Sequence, residues 1–234
     1  MRDELFVLSP ILCAFLMSAP SGAAGSSPRP AFPLDSVAGL ELENVKAEAV
    51  TYRGRKAVRL TEAYAKPVAD RDTGGYPLAI LAGSDFADGT IEAEVAGMPR
   101  PGAPADARGF IGIAFRVQPH GSRFECFYLR PTNGRSDDQL RRNHSTQYIS
   151  RPGFPWERLR KEAPGVYESY VDLETGAWTK VRIVVAGTQA RLYVHGAEQP
   201  ALIVNGLKQG ESRGRIALWL GDDTEGYYSN LTWR

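Results

Sequence analysis

"GFIGIAFRV", Gly109 to Val117, and "RFECFYLR", Arg123 to Arg130, are joined by "QPHGS". Both runs are rich in β-branched and aromatic residues, and the link between them holds Pro and Gly. That pattern predicts a β-hairpin. If Arg116 lies opposite Glu125, the two form a cross-strand ion pair. Ile111, Ile113 and Phe115 then share a core face with Phe124, Cys126 and Tyr128. A slip of one residue would place Glu125 among the apolar set, where an unpaired carboxylate is costly. The first register is therefore expected, with Arg116 and Glu125 on the outer face, as a surface ion pair or as part of a site.

Working outward, the same signature recurs in "KAVRL" (Lys56 to Leu60), "GTIEAEVAG" (Gly89 to Gly97), "TKVRIVVAG" (Thr179 to Gly187), "ARLYVHG" (Ala190 to Gly196) and "RIALWLG" (Arg215 to Gly221). "VVAGTQARLYV" reads as a second hairpin turning at "AGTQ". No stretch sustains a helical period. "WERLRKE", Trp156 to Glu162, has room for about two turns between Pro155 and Pro164. The fold class expected is all-β: a sandwich of two curved antiparallel sheets with one long ordered insertion.

The 234 residues carry 28 basic and 27 acidic side chains, a net charge of +1. A balance this even argues against non-specific nucleic-acid binding, which needs a basic footprint. Only six of the basic residues are Lys. The Arg excess reflects either base composition or guanidinium forks that grip carboxylates and sugar hydroxyls. "LFVLSPILCAFLMSA", Leu5 to Ala19, followed by "SGAAG", reads as a secretory signal over residues 1–24. The run is too short and too interrupted for a membrane span, and no later segment is apolar enough for one. Residues 25–34, holding "SSPRPAFP", read as a linker and residues 35–234 as one domain. The expected location is secreted or periplasmic. Cys13 falls inside the signal, so Cys126 stands alone in the mature chain as a buried, inert thiol.

Residues 131–177 show no clear strand. Loops this long inside a domain are usually functional or disordered. Phe154, Trp156, Tyr167 and Tyr170 argue against disorder. Between Arg130 and Glu162 there are eight basic and four acidic residues, so this is the most basic part of the chain. It contains "DDQLRRNHSTQY", Asp137 to Tyr148. His144 titrates near ~6.5 when unperturbed and suits acid–base work, or it only hydrogen-bonds within the loop. Adjacent Asp137 and Asp138 point opposite ways in an extended chain and make a poor catalytic pair. Tyr148 and Trp156 suit stacking on a sugar ring or anchoring the loop. "GDDTEG", Gly221 to Gly226, lacks the spacing of an EF-hand and reads as a solvated turn. No metal or cofactor is expected beyond a structural calcium at most.

The order of "FADGTIEAEVAG", "GFIGIAFRV", "FYLRP", "WTKVRIVVAGTQARLYVHG" and "GRIALWLGDDTEGYYSNLTW" resembles the concanavalin A-like lectin/glucanase superfamily, in its laminin-G-like and keto-disaccharide-hydrolase-like branches. The resemblance covers Gly89 to Trp233 and implies a jelly roll whose last strand returns beside the first ones. It also implies a glycan held on the concave sheet face. The glucanase Glu-x-Asp-x-x-Glu motif is missing, and "EAEVAG" is a distant echo. Alginate-lyase-like jelly rolls use Arg, Gln, His and Tyr; "QLRRNHSTQY" and "GVYESY" supply those types in a different order.

The first expectation is a secreted carbohydrate-binding protein, its hydroxyl or uronate ligand held beside the 131–177 insertion. The ligand-binding set is Arg116, Glu125, Arg130, Gln139, Arg142, Asn143, His144, Gln147, Tyr148 and Trp156. The second is a glycan-cleaving lyase or hydrolase, with His144 or Tyr148 as base and Arg142 or Arg141 neutralising a carboxylate. The third is a protein-binding or adhesion module.

Overall fold

A computed structural model of the chain describes Met1, residues 31–64 and residues 75–234. The expected signal sequence, and the linker up to residue 30, lie outside the described residues. Fifteen strands are formed among the described residues: β1 (Ala31–Phe32), β2 (Leu40–Glu43), β3 (Val45–Tyr52), β4 (Arg55–Glu62), β5 (Leu78–Leu81), β6 (Gly89–Pro99), β7 (Ile111–Val117), β8 (Phe124–Leu129), β9 (Thr146–Arg151), β10 (Glu168–Ser169), β11 (Thr179–Ala186), β12 (Gln189–Val194), β13 (Leu202–Val204), β14 (Arg215–Leu220) and β15 (Thr224–Trp233). Two short helices, α1 (Gln139–Asn143) and α2 (Trp156–Glu162), lie between β8 and β10.

The strands make two antiparallel sheets packed face to face. The first runs β13-β12-β11-β6-β15-β4-β3, with β1 also paired to β15; the second runs β10-β9-β8-β7-β14-β5-β2. The last strand thus lies at the centre of the first sheet, between β6 and β4. Ala31 and Phe32, expected in the linker, pair with Thr232 and Leu231.

The sheets differ in what covers their outer faces. β11 and β12 alternate buried and open positions, as a half-solvated antiparallel strand does. β5, β7 and β8 are buried at every position, and β9 at all but Arg151. The second sheet therefore has the inter-sheet core on one side and a second apolar layer on the other. The inter-sheet core takes Ile91, Val95, Val181, Ile183 and Leu192 from the first sheet, and Ile111, Ile113, Phe127 and Leu218 from the second. The outer layer is Tyr76, Leu78, Ala114, Phe124, Cys126, Tyr128, Ile149 and Trp219, with Phe110 and Trp156 packed on it.

The 131–177 segment is not the strandless loop expected. It supplies β9 and β10, which extend the second sheet beyond β8. Its helices are local. Asp138 caps α1, its carboxylate accepting the Arg141 backbone N–H at 3.1 Å. In α2, Pro155 at the N-cap, Glu157 in the first turn and Arg160 and Lys161 in the last suit the helix dipole. Only Leu159 of α2 is buried.

Candidate functional site

The opening hairpin sets which side chains reach the open face of the second sheet, and its register differs from the expected one. Phe115 pairs with Glu125, Ala114 with Cys126, Ile113 with Phe127 and Gly112 with Tyr128. Glu125 therefore points into the inter-sheet core, and Phe124, Cys126 and Tyr128 take the open face. A β-bulge breaks the alternation after Phe115. Arg215 pairs with Val117 but Ala217 pairs with Ala114, which leaves one extra residue on β7. Arg116 sits in that bulge with φ of 54°.

The bulge turns the Arg116 side chain into a buried clasp. Nε donates to Ala87 O (2.9 Å), Nη1 to Gly210 O (2.8 Å), and Nη2 to Gly187 O (2.8 Å) and Asp88 Oδ1 (3.0 Å). Glu125 is fully buried, yet both of its oxygens are satisfied. Oε2 accepts from the Tyr148 hydroxyl (2.5 Å) and Oε1 from the Gln209 N–H (2.9 Å). The Tyr148 hydroxyl in turn accepts the Lys208 N–H at 2.9 Å. Those bonds meet the cost that argued against this register. Burial raises the Glu125 carboxyl pKa, against the Tyr148 and Gln209 hydrogen bonds that lower it. Burial, reinforced by the Glu125 charge, also drives the Tyr148 hydroxyl upward. Arg116, Glu125 and Tyr148 thus leave the ligand-binding set, and Tyr148 leaves the catalytic one.

One row of side chains crosses the open face through all seven strands: Glu168, Gln147, Tyr128, Gly112, Trp219, Leu78 and Glu43, each opposite the next. Gly112 is the gap in that row. A Cβ there would lie 2.4 Å from Phe127 O and 2.6 Å from Tyr128 Cβ. Across the gap Tyr128 stacks on Trp219, ring centres 4.7 Å apart at 25°. Phe110 meets Tyr128 edge-on at 5.8 Å.

The β10 end of the row is polar. Glu168 is buried and gathers two guanidinium groups and an imidazole. Arg160 donates Nε to Oε1 (2.9 Å) and Nη2 to Oε2 (2.6 Å). His144 Nε2 lies 3.1 Å from Oε1, and Arg130 Nη1 3.9 Å from Oε2. Arg130 is pinned further, donating to His144 O (2.9 Å), the Tyr128 hydroxyl (2.9 Å) and Gln147 Oε1 (3.1 Å). Burial holds the His144 imidazole below its ordinary pKa; Glu168 pushes it back up, while Arg160 and Arg130 push it down. Trp156 caps the group, with Arg160 4.5 Å and Arg130 5.8 Å from its ring centre.

Two adjoining cavities open over this row. The smaller, about 150 Å³, is walled by Tyr76, Phe110, Tyr128, Arg151, Trp156 and Trp219. The larger, about 440 Å³, is walled by Arg108, Phe110, Arg130, Asn133, Arg141, His144, Trp156, Arg160 and Asp222, among others. Its volume falls within the roughly 300–1,000 Å³ of small-molecule sites. Phe110, Trp156 and Asp222 belong to both. Together they form one groove, aromatic at one end and lined at the other by Arg108, Arg130, Arg141 and Arg160 together with Asp106, Asp138, Asp222 and Asp223.

Of the residues expected from sequence, the structure brings Arg130, His144 and Trp156 to the groove, with Gln147 directly behind Arg130. Gln139, Arg142 and Asn143 do not line it. Gln139 donates to Asn143 Oδ1 along α1 at 2.7 Å, and Arg142 turns to Tyr170, 3.2 Å from its hydroxyl. Sequence reasoning did not select Phe110, Tyr128, Arg108, Arg160, Glu168 or Trp219. The alternation of "RFECFYLR" pointed to Tyr128 once the register was right. The Arg160–Glu168 pair had no signal in spacing. No group of three or more His, Cys, Asp or Glu side chains is arranged for a metal among the described residues, and no helix there is long and apolar enough to cross a membrane.

No family model and no curated protein sequence matches the chain. Solved structures do. Carbohydrate-binding module CBM66 from Bacillus subtilis superposes with a TM-score of 0.54 at 11% identity, covering 84% of this chain and 95% of that one. The fold is the concanavalin A-like jelly roll. Two more structures share the jelly roll at similar depth. One is a candidate glycosyl hydrolase from Parabacteroides distasonis, with TM-score 0.53, 8% identity and coverage of 88% and 98%. The other is a Bacillus subtilis protein of unknown function with a galectin-like fold, with TM-score 0.51, 11% identity and coverage of 87% and 94%.

Proposed function

We propose that this jelly roll is a secreted or periplasmic carbohydrate-binding protein that holds a saccharide in the groove on the open face of its second sheet. The observation that carries the reading is Trp156. It is half-buried, belongs to both cavities, and stands beside Arg130, His144 and Arg160. A sugar ring presents an apolar face and a rim of hydroxyls, so it needs a flat ring with donors around it. The like-folded carbohydrate-binding module and candidate glycosyl hydrolase support the class of ligand. Support for export is the Leu5 to Ala19 run and the small residues after it.

A panel of neutral and acidic oligosaccharides, titrated by calorimetry, tests this. At least one is expected to bind, and Trp156→Ala is expected to weaken it by more than about tenfold. Failure of the whole panel, or indifference to Trp156→Ala, rejects the reading.

One observation favours cleavage as the second reading. His144 Nε2 lies 3.1 Å from Glu168 Oε1, so a proton carried on Nε2 would leave Nδ1 as the basic nitrogen, and burial lowers the imidazole pKa, which favours its neutral, basic form. The same incubations distinguish the two. Ultraviolet-absorbing unsaturated ends or new reducing ends, lost in His144→Gln, establish cleavage; bound saccharide recovered intact excludes it.

A further inference from the structure

The Arg-rich end of the groove holds two cations that the ion pairs around it leave unused. Arg108 precedes β7 and Arg141 lies on α1, and both line the larger cavity. One 3-10 turn, Pro131–Asn133, positions them together. Arg141 donates Nε to Asn133 Oδ1 (2.9 Å) and Nη2 to Thr132 Oγ1 (2.9 Å). The Thr132 N–H donates to Arg108 O (3.3 Å), and its hydroxyl to Ala107 O (3.3 Å). Arg108 Nη1 donates to the Asp106 carbonyl at 2.5 Å.

Every side-chain acceptor of these two guanidinium groups is therefore an uncharged oxygen, and neither forms an ion pair among the described residues. Asp106, Asp138, Asp222 and Asp223 also line this cavity, and Asp106 and Asp138 act on Arg108 through space, but none of the four forms an ion pair with Arg108 or Arg141. Asp223 takes Arg100 (2.7 Å), Glu168 takes Arg160, Asp222 accepts from the Tyr64 hydroxyl (3.4 Å), Asp138 caps α1, and Asp106 is exposed. Burial, and then the Arg141 charge, hold the Arg108 guanidinium below its ordinary pKa, against Asp106 and Asp138, which push it up. Two like charges fixed side by side repel, and a bound anion relieves that repulsion where a neutral hydroxyl does not.

We propose that Arg108 and Arg141 form an anion subsite, so that the groove selects saccharides bearing a carboxylate or sulfate group. The inference rests on the saccharide-binding reading of the same groove. Guanidinium forks match planar carboxylates and sulfate oxygens in bidentate fashion, which gives direction as well as charge. The aromatic end of the groove then takes the neighbouring ring.

The test is calorimetric titration of oligogalacturonate, a sulfated galacto-oligosaccharide and a neutral oligosaccharide of equal length into the wild-type chain, Arg108→Gln and Arg141→Gln. An anionic saccharide is expected to bind at least about tenfold more tightly than the neutral one. Each substitution is expected to remove most of that preference, weakening the anionic ligand more than the neutral one. Which anionic ligand shows the preference separates carboxylate from sulfate. Wild-type binding should also weaken steadily with added salt, a readout that does not depend on either variant folding. Equal affinity for neutral and anionic ligands, a preference that survives both substitutions, or salt-independent binding overturns the anion subsite and leaves the saccharide reading standing. Failure of all three ligands overturns both.

Discussion

Arg116 donates from all three guanidinium nitrogens into the interior, and Glu125 accepts with both carboxylate oxygens. Neither pairs directly with the other: Arg116 is met by three backbone carbonyls and the Asp88 carboxylate, and Glu125 by the Tyr148 hydroxyl and the Gln209 N–H. Lys offers a single ammonium with no fork, so Arg116→Lys leaves buried carbonyls among Ala87, Gly187 and Gly210 unsatisfied. A loss of about 2–3 kcal/mol is expected in chemical denaturation. Glu125 carries a pH dependence. Its folded pKa is raised, so between the unfolded value near ~4.5 and the folded value the native state holds more protons than the unfolded chain. Its contribution is fully present below the unfolded pKa and is lost as pH rises through the folded one. Glu125→Gln cannot ionise, so the stability of the variant relative to wild type should rise from pH 4 to pH 7. A difference that stays flat across that range contradicts the assignment. This is also where sequence reading failed: a buried Glu looks prohibitive until Tyr148, twenty-three residues away, is known to donate to it.

Seven of the strands were legible as elements because β-branched and aromatic residues alternate between turn residues, and "WERLRKE" was legible as a helix from its bracketing prolines. β9 was not. Its Thr146, Gln147 and Ser150 are polar yet buried, and Gln147 spends its amide on Tyr148 O (2.9 Å) and Tyr167 O (3.0 Å). A strand that buries this many polar side chains has no hydrophobic period to read. The groove was legible in place, on the second sheet beside the insertion, but only partly in membership. His144, Arg160 and Glu168 meet because β10 pairs with β9, a contact that local pattern does not encode. Helix α2 brings Trp156 and Arg160 to the groove, and it is held to the sandwich core by one side chain, Leu159. Seven residues do not hold a helix alone. Leu159→Ala should therefore cost about 2–4 kcal/mol at most and act first on α2. Hydrogen exchange is expected to speed up over residues 156–163 while β7, β8 and β14 keep their protection. Uniform loss of protection across the second sheet contradicts this local role.

The jelly roll was legible for the whole molecule in the order of its strand-like runs, and above all in the closing run that became β14 and β15. Sheet membership was not, because an antiparallel pair records no distance in sequence. β15 is the final strand, and it bridges β6 and β4. Deleting residues 224–234 removes a central ladder rather than an edge, taking Tyr228 and Leu231 from the core. The truncated chain is expected to show no cooperative unfolding transition by circular dichroism. A sharp transition near the full-length midpoint contradicts that. The same geometry sets an order of assembly. Until β15 docks, β4 and β6 each present a hydrogen-bonding edge with nothing to fill the space between them. Such edges recruit strands from other chains. The docking of β15 is therefore the step that closes the protein to misassembly.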